Sequence, residues 1–170
     1  MTIVVADAGL GIMASDTEGV GGYVSQAFGS KIVRRRSAGG GDVLIGYCGD
    51  YLVDRWARGI QDCKVETRGD VEALWDTYMA QAEERKQVKD GNAQGSAMVL
   101  ARSGLYLCEA DGSVLIPENG WSAIGSGKEA ALAVMYVAND PALAATIAVK
   151  LNIYCGGPVV TEWLEKPKGA

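Results

Sequence analysis

The order in which helices and strands follow one another leaves this chain few possible folds. Four helical segments are predicted, and they occur as two adjacent pairs with strands before, between and after them. Helices that alternate singly with strands build a parallel sheet, whereas paired helices do not. The sequence therefore predicts an α+β protein, with two antiparallel sheets covered by two helix pairs in a single domain over residues 1–170.

The helices carry recognisable start signals. Asp50 and Asp70 each precede an apolar stripe of helical period and are predicted as N-caps of the first pair. An alanine-rich run predicts the third helix at 127–138. Asp140, followed by a proline, caps a fourth helix at about 141–152.

The strands are predicted from β-branched and alternating runs bounded by turn residues. The first two form a hairpin, and the glycine-rich stretch 19–22 is interpreted as a loop. The predicted strands are residues 2–6, 12–15, 32–33, 43–49, 96–101, 104–110, 113–117, 121–127 and 156–164.

Composition excludes several classes of function. A net charge of −5 over 170 residues opposes nucleic-acid binding, and the one basic cluster, 34–36, is too short for a phosphate track. No apolar run reaches the length of a membrane span, and the N-terminus does not resemble a signal peptide. The four cysteines lack metal-site or disulfide spacing, which predicts a reducing, cytoplasmic location.

The sequence contains no histidine. This excludes Ser-His-Asp and Cys-His catalysis and histidine-ligated zinc, so any catalytic site needs another base. If Met1 is removed, Thr2 carries a free α-amine with an unperturbed pKa of about 7.7 beside its hydroxyl. That amine is able to activate the hydroxyl for acyl transfer. The alternative interpretation is that Thr2 only begins a strand.

Four other residues fit such a site. Lys31 favours a lowered hydroxyl pKa at Thr2, and Asp16 is placed to hold it by an ion pair. Gly46 allows a backbone N–H to approach an oxyanion, and Ser126 supplies an accessory hydroxyl. Each also has a structural alternative: an exposed lysine, a turn aspartate, a strand bulge and a helix cap.

Five motifs in register resemble HslV, the peptidase of the bacterial HslUV protease, and more broadly the proteasome β subunits. The segments that carry the resemblance are "TIVVAD…IMASD", "SKIVRRR", "VLIGYCGDYLVDRW", "AIGSGKEAALA" and "IYCGGPVVTEWL". They cover nearly the whole chain in the family's order. The resemblance implies a four-layer αββα sandwich of the N-terminal-nucleophile hydrolase type, assembled into stacked homo-oligomeric rings.

The resemblance also implies roles for individual residues. Thr2 becomes the nucleophile, supported by Asp16, Lys31, the Gly46 N–H and Ser126. Substrate contacts fall on Leu44 and Cys48, and a structural sodium ion would be held by the backbone carbonyls of Val149, Asn152 and Cys155. No cofactor is needed for the chemistry. Unfolded proteins are the implied substrates, supplied by a separate AAA+ unfoldase of the HslU type.

The chain also departs from the family pattern. It offers one N-terminal threonine where HslV has two, and its first hairpin is shorter, so an alignment that places Met1 at the nucleophile's position stays open. Asn152 and Cys155 stand where the proteasome branch carries an aspartate and a serine. These departures keep a second hypothesis open, a non-catalytic ring subunit or scaffold.

Overall fold

The computed structural model describes residues 2–21, 24–27, 29–152 and 154–165. The strands in these ranges are β1 (Ile3–Asp7), β2 (Ile12–Ser15), β3 (Glu18–Gly21), β4 (Val24–Ala27), β5 (Ile32–Ser37), β6 (Asp42–Gly49), β7 (Asp62–Cys63), β8 (Gly95–Ala101), β9 (Gly104–Cys108), β10 (Val114–Leu115), β11 (Trp121–Gly125) and β12 (Val160–Trp163). The helices are α1 (Tyr51–Gly59), α2 (Arg68–Glu84), α3 (Lys128–Ala138) and α4 (Pro141–Leu151). None of these described helices is long and apolar enough to cross a membrane.

The strands build two stacked sheets. One has the order β11-β1-β2-β12 and is antiparallel throughout, and the other has the order β10-β9-β8-β6-β5-β7. The second sheet departs from the prediction at one edge, where β5 and β7 run parallel. β3 and β4 form a separate antiparallel hairpin.

Three apolar interfaces separate four layers. Trp56 and Trp75 lie between the α1–α2 pair and the six-stranded sheet. Leu44 and Met98 lie between the two sheets, and Met135 lies between the four-stranded sheet and the α3–α4 pair. The predicted αββα sandwich is therefore confirmed, and burial of these faces is its main source of stability.

The helix starts follow their capping residues. The Asp50 carboxylate accepts the N–H groups at the start of α1, and Asp140 does the same for α4, where Pro141 occupies the first turn. The predicted cap of α2 was wrong. Thr67 is its N-cap, and Asp70 is the third helical residue of a reciprocal capping box.

Three strands, β3, β4 and β7, were missed by the sequence analysis. The stretch 19–22 was interpreted as a loop, yet β3 includes residues 18–21 and pairs with β4. The two-residue strand β7 was also missed. Glycine lowers intrinsic strand propensity, and here the pairing partner decides the conformation instead. Residue 22 lies outside the described part of the chain.

Gly46 marks a close approach of the two sheets. A Cβ added there would lie 2.5 Å from Val4 Cγ1 and 2.7 Å from Met13 Sδ. Both neighbours belong to the opposite sheet and are fully buried, so neither is able to move aside easily. The glycine is therefore required by packing, whatever its part in chemistry.

We expect Gly46→Ala to lower the free energy of unfolding by about 1–3 kcal/mol, because the added methyl overpacks the space between the sheets. The measurement is urea denaturation followed by circular dichroism. Gly59→Ala is the matched control, since a Cβ at that helical position meets nothing within 4 Å. The control should be neutral or stabilise by up to about 1 kcal/mol. Equal unfolding midpoints for the two variants would contradict the packing argument.

Candidate active site

Thr2 lies at the start of β1 and contacts the turn between β11 and α3. Its side chain is buried, and its carbonyl accepts the Ser126 N–H at 2.9 Å and the Ser126 hydroxyl at 3.4 Å. Gly125 makes this approach possible, since a Cβ there would lie 2.0 Å from the Thr2 carbonyl oxygen and its φ is +100°. The main chain of Thr2 is thus held in one place.

Asp16 is fully buried beside the start of β1. Its Oδ1 accepts the Ile3 N–H at 3.0 Å, and its Oδ2 accepts the Gly156 N–H at 3.2 Å. The carboxylate therefore joins the residue after Thr2 to the segment that follows α4. Each carboxylate oxygen thus accepts a hydrogen bond from a backbone amide.

Lys31 completes this cluster. Its ammonium lies 2.7 Å from Asp16 Oδ1 and also donates to the Glu18 carbonyl. Lys31 is 6% exposed and Asp16 is 0% exposed, so the ion pair is screened little by solvent. The structure thus bonds Ser126 to Thr2 directly and connects Lys31, through Asp16, to the residue after Thr2, while the catalytic roles of these residues stay predictions.

Ser126 also contacts Asn152 and Cys155, two residues that follow α4. The Asn152 amide donates to the Ser126 carbonyl, and Asn152 Oδ1 accepts the Tyr154 N–H at 2.9 Å. Cys155 Sγ lies 3.4 Å from Ser126 Oγ, and burial raises the pKa of this thiol. The thiol therefore stays neutral near pH 7 and acts here as a packing and hydrogen-bonding group.

Leu44 does not fit its predicted role in substrate binding, whereas the predicted role of Cys48 stays a prediction. Leu44 is fully buried in the core between the sheets, where no substrate reaches it. Cys48 packs against the same core and is only half-buried, while burial raises its thiol pKa to about 11. Alternate side chains of β6 face opposite sides, and this pair shares the face turned toward the other sheet.

The ladder of β6 also decides where its backbone N–H groups point. The Asp50 N–H donates to the Gln94 carbonyl on the β8 side at 3.2 Å. Gly46 lies four residues earlier, an even number, so its N–H points to the same side of the strand. The Tyr47 N–H points the other way and donates to the Lys31 carbonyl at 3.2 Å. Because directions alternate in an antiparallel ladder, the Gly46 N–H faces β8 and the Gly49 N–H faces the Lys31 side.

Three site residues were missed by the sequence analysis, and all are glycines. Gly49 presents its N–H on the side of Lys31, Gly125 admits the Thr2 carbonyl, and Gly156 binds Asp16. Positive φ at Gly49 and Gly125 gives a physical reason for glycine there. In the sequence they stand among 23 glycines, and nothing local separates them from turn residues.

The predicted sodium ligands lie at the C-terminal end of α4. Val149 is in the last helical turn, and the Asn152 carbonyl accepts the Cys155 N–H at 3.1 Å. A carbonyl oxygen has a second lone pair, and the negative end of a helix dipole favours a cation. The three carbonyls therefore fit such an ion, and the sodium site stays a prediction.

We expect Asp16→Asn to lower the free energy of unfolding by about 3–5 kcal/mol, because it leaves the Lys31 ammonium buried without its carboxylate. Chemical denaturation measures the loss. Glu72→Gln is the matched control, since its ion pair with Arg68 has the same 2.7 Å separation but is exposed. The control should cost less than about 1 kcal/mol. Similar small losses in both variants would contradict the assigned energetic importance of the buried pair.

Comparison with solved structures identifies the architecture. The Thiobacillus denitrificans protein BPH, in complex with epoxomicin, has a TM-score of 0.74 and 20% identity, over 98% of this chain and 100% of that chain. Eukaryotic HslV from Trypanosoma brucei has a TM-score of 0.63 and 18% identity, over 95% and 98% of the two chains. The Anbu complex from Pseudomonas aeruginosa, solved as a helical assembly, has a TM-score of 0.69 and 16% identity, over 95% and 80%.

No family model matches the sequence, and no curated protein matches it. The likeness is therefore one of three-dimensional structure, and it extends over almost the entire chain. The four layers, the order of elements and the position of Thr2 at the start of the first strand lead to one conclusion. The chain has the HslV and proteasome-like subunit fold, as the resemblance of its sequence implied.

Proposed function

We propose that this chain is a threonine-type peptidase subunit, with Thr2 as the nucleophile once Met1 is removed. The observation that carries the proposal is the buried Asp16–Lys31 pair, bonded through Asp16 to the residue that follows Thr2. A cation and a carboxylate are seldom buried without a function or a compensating network. In this arrangement the main chain bonded to Asp16 and Ser126 belongs to residues 2 and 3, which favours Thr2 over Met1 as the reacting position.

The proposed reaction uses the chain terminus as its own base. The Thr2 hydroxyl oxygen attacks the carbonyl carbon of a peptide while its proton passes to the Thr2 α-amine. The Lys31 ammonium lowers the pKa of the hydroxyl through its charge. The tetrahedral intermediate collapses to an ester of Thr2, and the protonated amine gives its proton to the departing amine. Water then hydrolyses the ester and restores the hydroxyl.

The oxyanion donor that we propose is the Gly49 N–H in place of the predicted Gly46 N–H. Gly46 directs its N–H along the ladder to β8, where it serves the sheet. Gly49 directs its N–H to the side of Lys31 at the end of β6, beyond the first residue of β5. A backbone donor on that side is placed to stabilise negative charge on a substrate oxygen.

We expect hydrolysis of small peptide amides to depend on removal of Met1, because retention turns the base into an amide nitrogen without useful basicity. Mass spectrometry of the N-terminus, together with kcat, tests this dependence. Thr2→Ala in the processed protein should lower kcat by at least about 10³-fold. Epoxomicin, which binds the structurally similar Thiobacillus protein, should form an adduct with the processed wild type and none with Thr2→Ala.

Two results would overturn the mechanism. Equal activity of Met1-bearing and processed protein would require another catalytic site. A processed protein that is inert toward peptides and epoxomicin, even with an unfoldase supplied, would support the alternative function of a non-catalytic ring subunit.

We also propose that the chain works as a homo-oligomeric ring fed by a separate AAA+ unfoldase of the HslU type. Residues 1–170 contain no P-loop, and we therefore assign ATP-driven unfolding of substrates to another protein. The outer face of α3 and α4 supports self-association. Tyr136, Val137 and Leu151 are 82%, 86% and 72% exposed there, and Asp140 is the sole charged residue between positions 130 and 149.

We expect light scattering to give a mass several times the 17.8 kDa of one chain. Tyr136→Glu should shift the population toward smaller species, because it buries a charge in the proposed contact. Tyr51→Glu, the same change at an exposed tyrosine of α1, is the control and should leave the mass unchanged. A stable, active wild-type monomer would contradict the ring.

A further inference from the structure

A side chain of α1 contacts the turn that presents Lys31. The Arg58 guanidinium donates through Nη2 to the Ser30 carbonyl at 3.1 Å and to the Tyr47 hydroxyl at 2.8 Å. Its Nε donates to Asp54 Oδ1 at 2.8 Å, one helical turn earlier. A rigid guanidinium is suited to bind three acceptors at once, which a lysine ammonium on a flexible stem does less well.

Tyr47 connects this network to Lys31 itself. Its N–H donates to the Lys31 carbonyl, and its hydroxyl donates to Asp54 while accepting from Arg58. Burial, and then the hydrogen bond to Asp54, raise the pKa of the Tyr47 hydroxyl, so the phenol keeps its proton. Tyr47 is 5% exposed, and both its backbone N–H and its hydroxyl are held by hydrogen bonds.

The turn around Lys31 is short and local. The Ser30 hydroxyl accepts the Ile32 N–H at 3.1 Å and donates to the Ile32 carbonyl at 3.3 Å, which closes a loop around Lys31. Arg58 holds the first residue of this turn and Tyr47 holds its middle. The backbone from which the lysine side chain extends is thus tied to α1.

We infer that Tyr47, Asp54 and Arg58 form a positioning network that sets the Lys31 ammonium against Asp16 and Thr2. This inference rests on the proposed function of Lys31. None of the three side chains needs to touch substrate, so they act through Lys31. The Arg58 side chain is 47% exposed, and an exposed pair one helical turn apart contributes little to global stability. Its removal should therefore leave the fold intact while loosening the lysine.

The test compares Arg58→Ala and Tyr47→Phe with Arg68→Ala. Arg68 forms the equivalent exposed pair with Glu72 on α2, and it serves as the control. Trace acetylation of amines, read by peptide mass spectrometry on the folded oligomer, measures the accessibility of Lys31 without any need for activity. Labelling of Lys31 should rise about 5- to 10-fold in both test variants and stay unchanged in the control.

Peptide hydrolysis supplies the second measurement. In both test variants kcat should fall about 10²-fold with KM unchanged, because the lysine is displaced while substrate contacts remain. Unchanged Lys31 labelling in folded Arg58→Ala and Tyr47→Phe overturns the inference, and Thr2-dependent activity in the same proteins would leave the peptidase proposal standing. Raised labelling in a protein whose processed wild type hydrolyses nothing supports the network and counts against the peptidase.

Discussion

The ion pair between Asp16 and Lys31 is the interaction on which the proposed site depends. Removing two charges from water costs several kcal/mol for each ion, and their mutual attraction repays this only with further hydrogen bonds. Here those bonds come from the Ile3 and Gly156 amides and the Glu18 carbonyl. The donors and acceptors belong to β1, to the segment after α4 and to β3. The pair is therefore satisfied only when distant parts of the chain have assembled correctly.

Two glycines allow the layers to approach closely enough for this network. Gly46 lets the two sheets touch at Val4 and Met13, and Gly125 lets the Thr2 carbonyl reach Ser126. At both positions a Cβ would meet atoms closer than 3 Å. The geometry around Thr2 thus depends on the absence of a side chain at these two glycines as much as on the polar groups.

Features with a local physical cause could be predicted from the sequence, and those that depend on pairing could not. Asp140 and its following proline mark α4 without ambiguity, and the paired helices exclude an alternating parallel sheet. β6 is different, because it is covered on both faces and its apolar run carries no alternation to reveal which side Leu44 faces. Without the register, the two glycines of β6 are also indistinguishable as oxyanion donors. Only the ladder to β8 and β5 separates them.

The two helical layers differ in polarity, and this difference fits the two proposals. On α1 the exposed Arg58 and half-exposed Asp54 connect the surface to the backbone of Lys31 through Tyr47. On α3 and α4 the exposed side chains are mostly apolar, and the hydrogen bond to Ser126 comes from Asn152, which follows α4. An apolar face gains stability by contact with another apolar face, whereas charged groups at a surface stay hydrated. The polar layer accordingly carries the proposed positioning network, and the apolar layer carries the proposed contact between subunits.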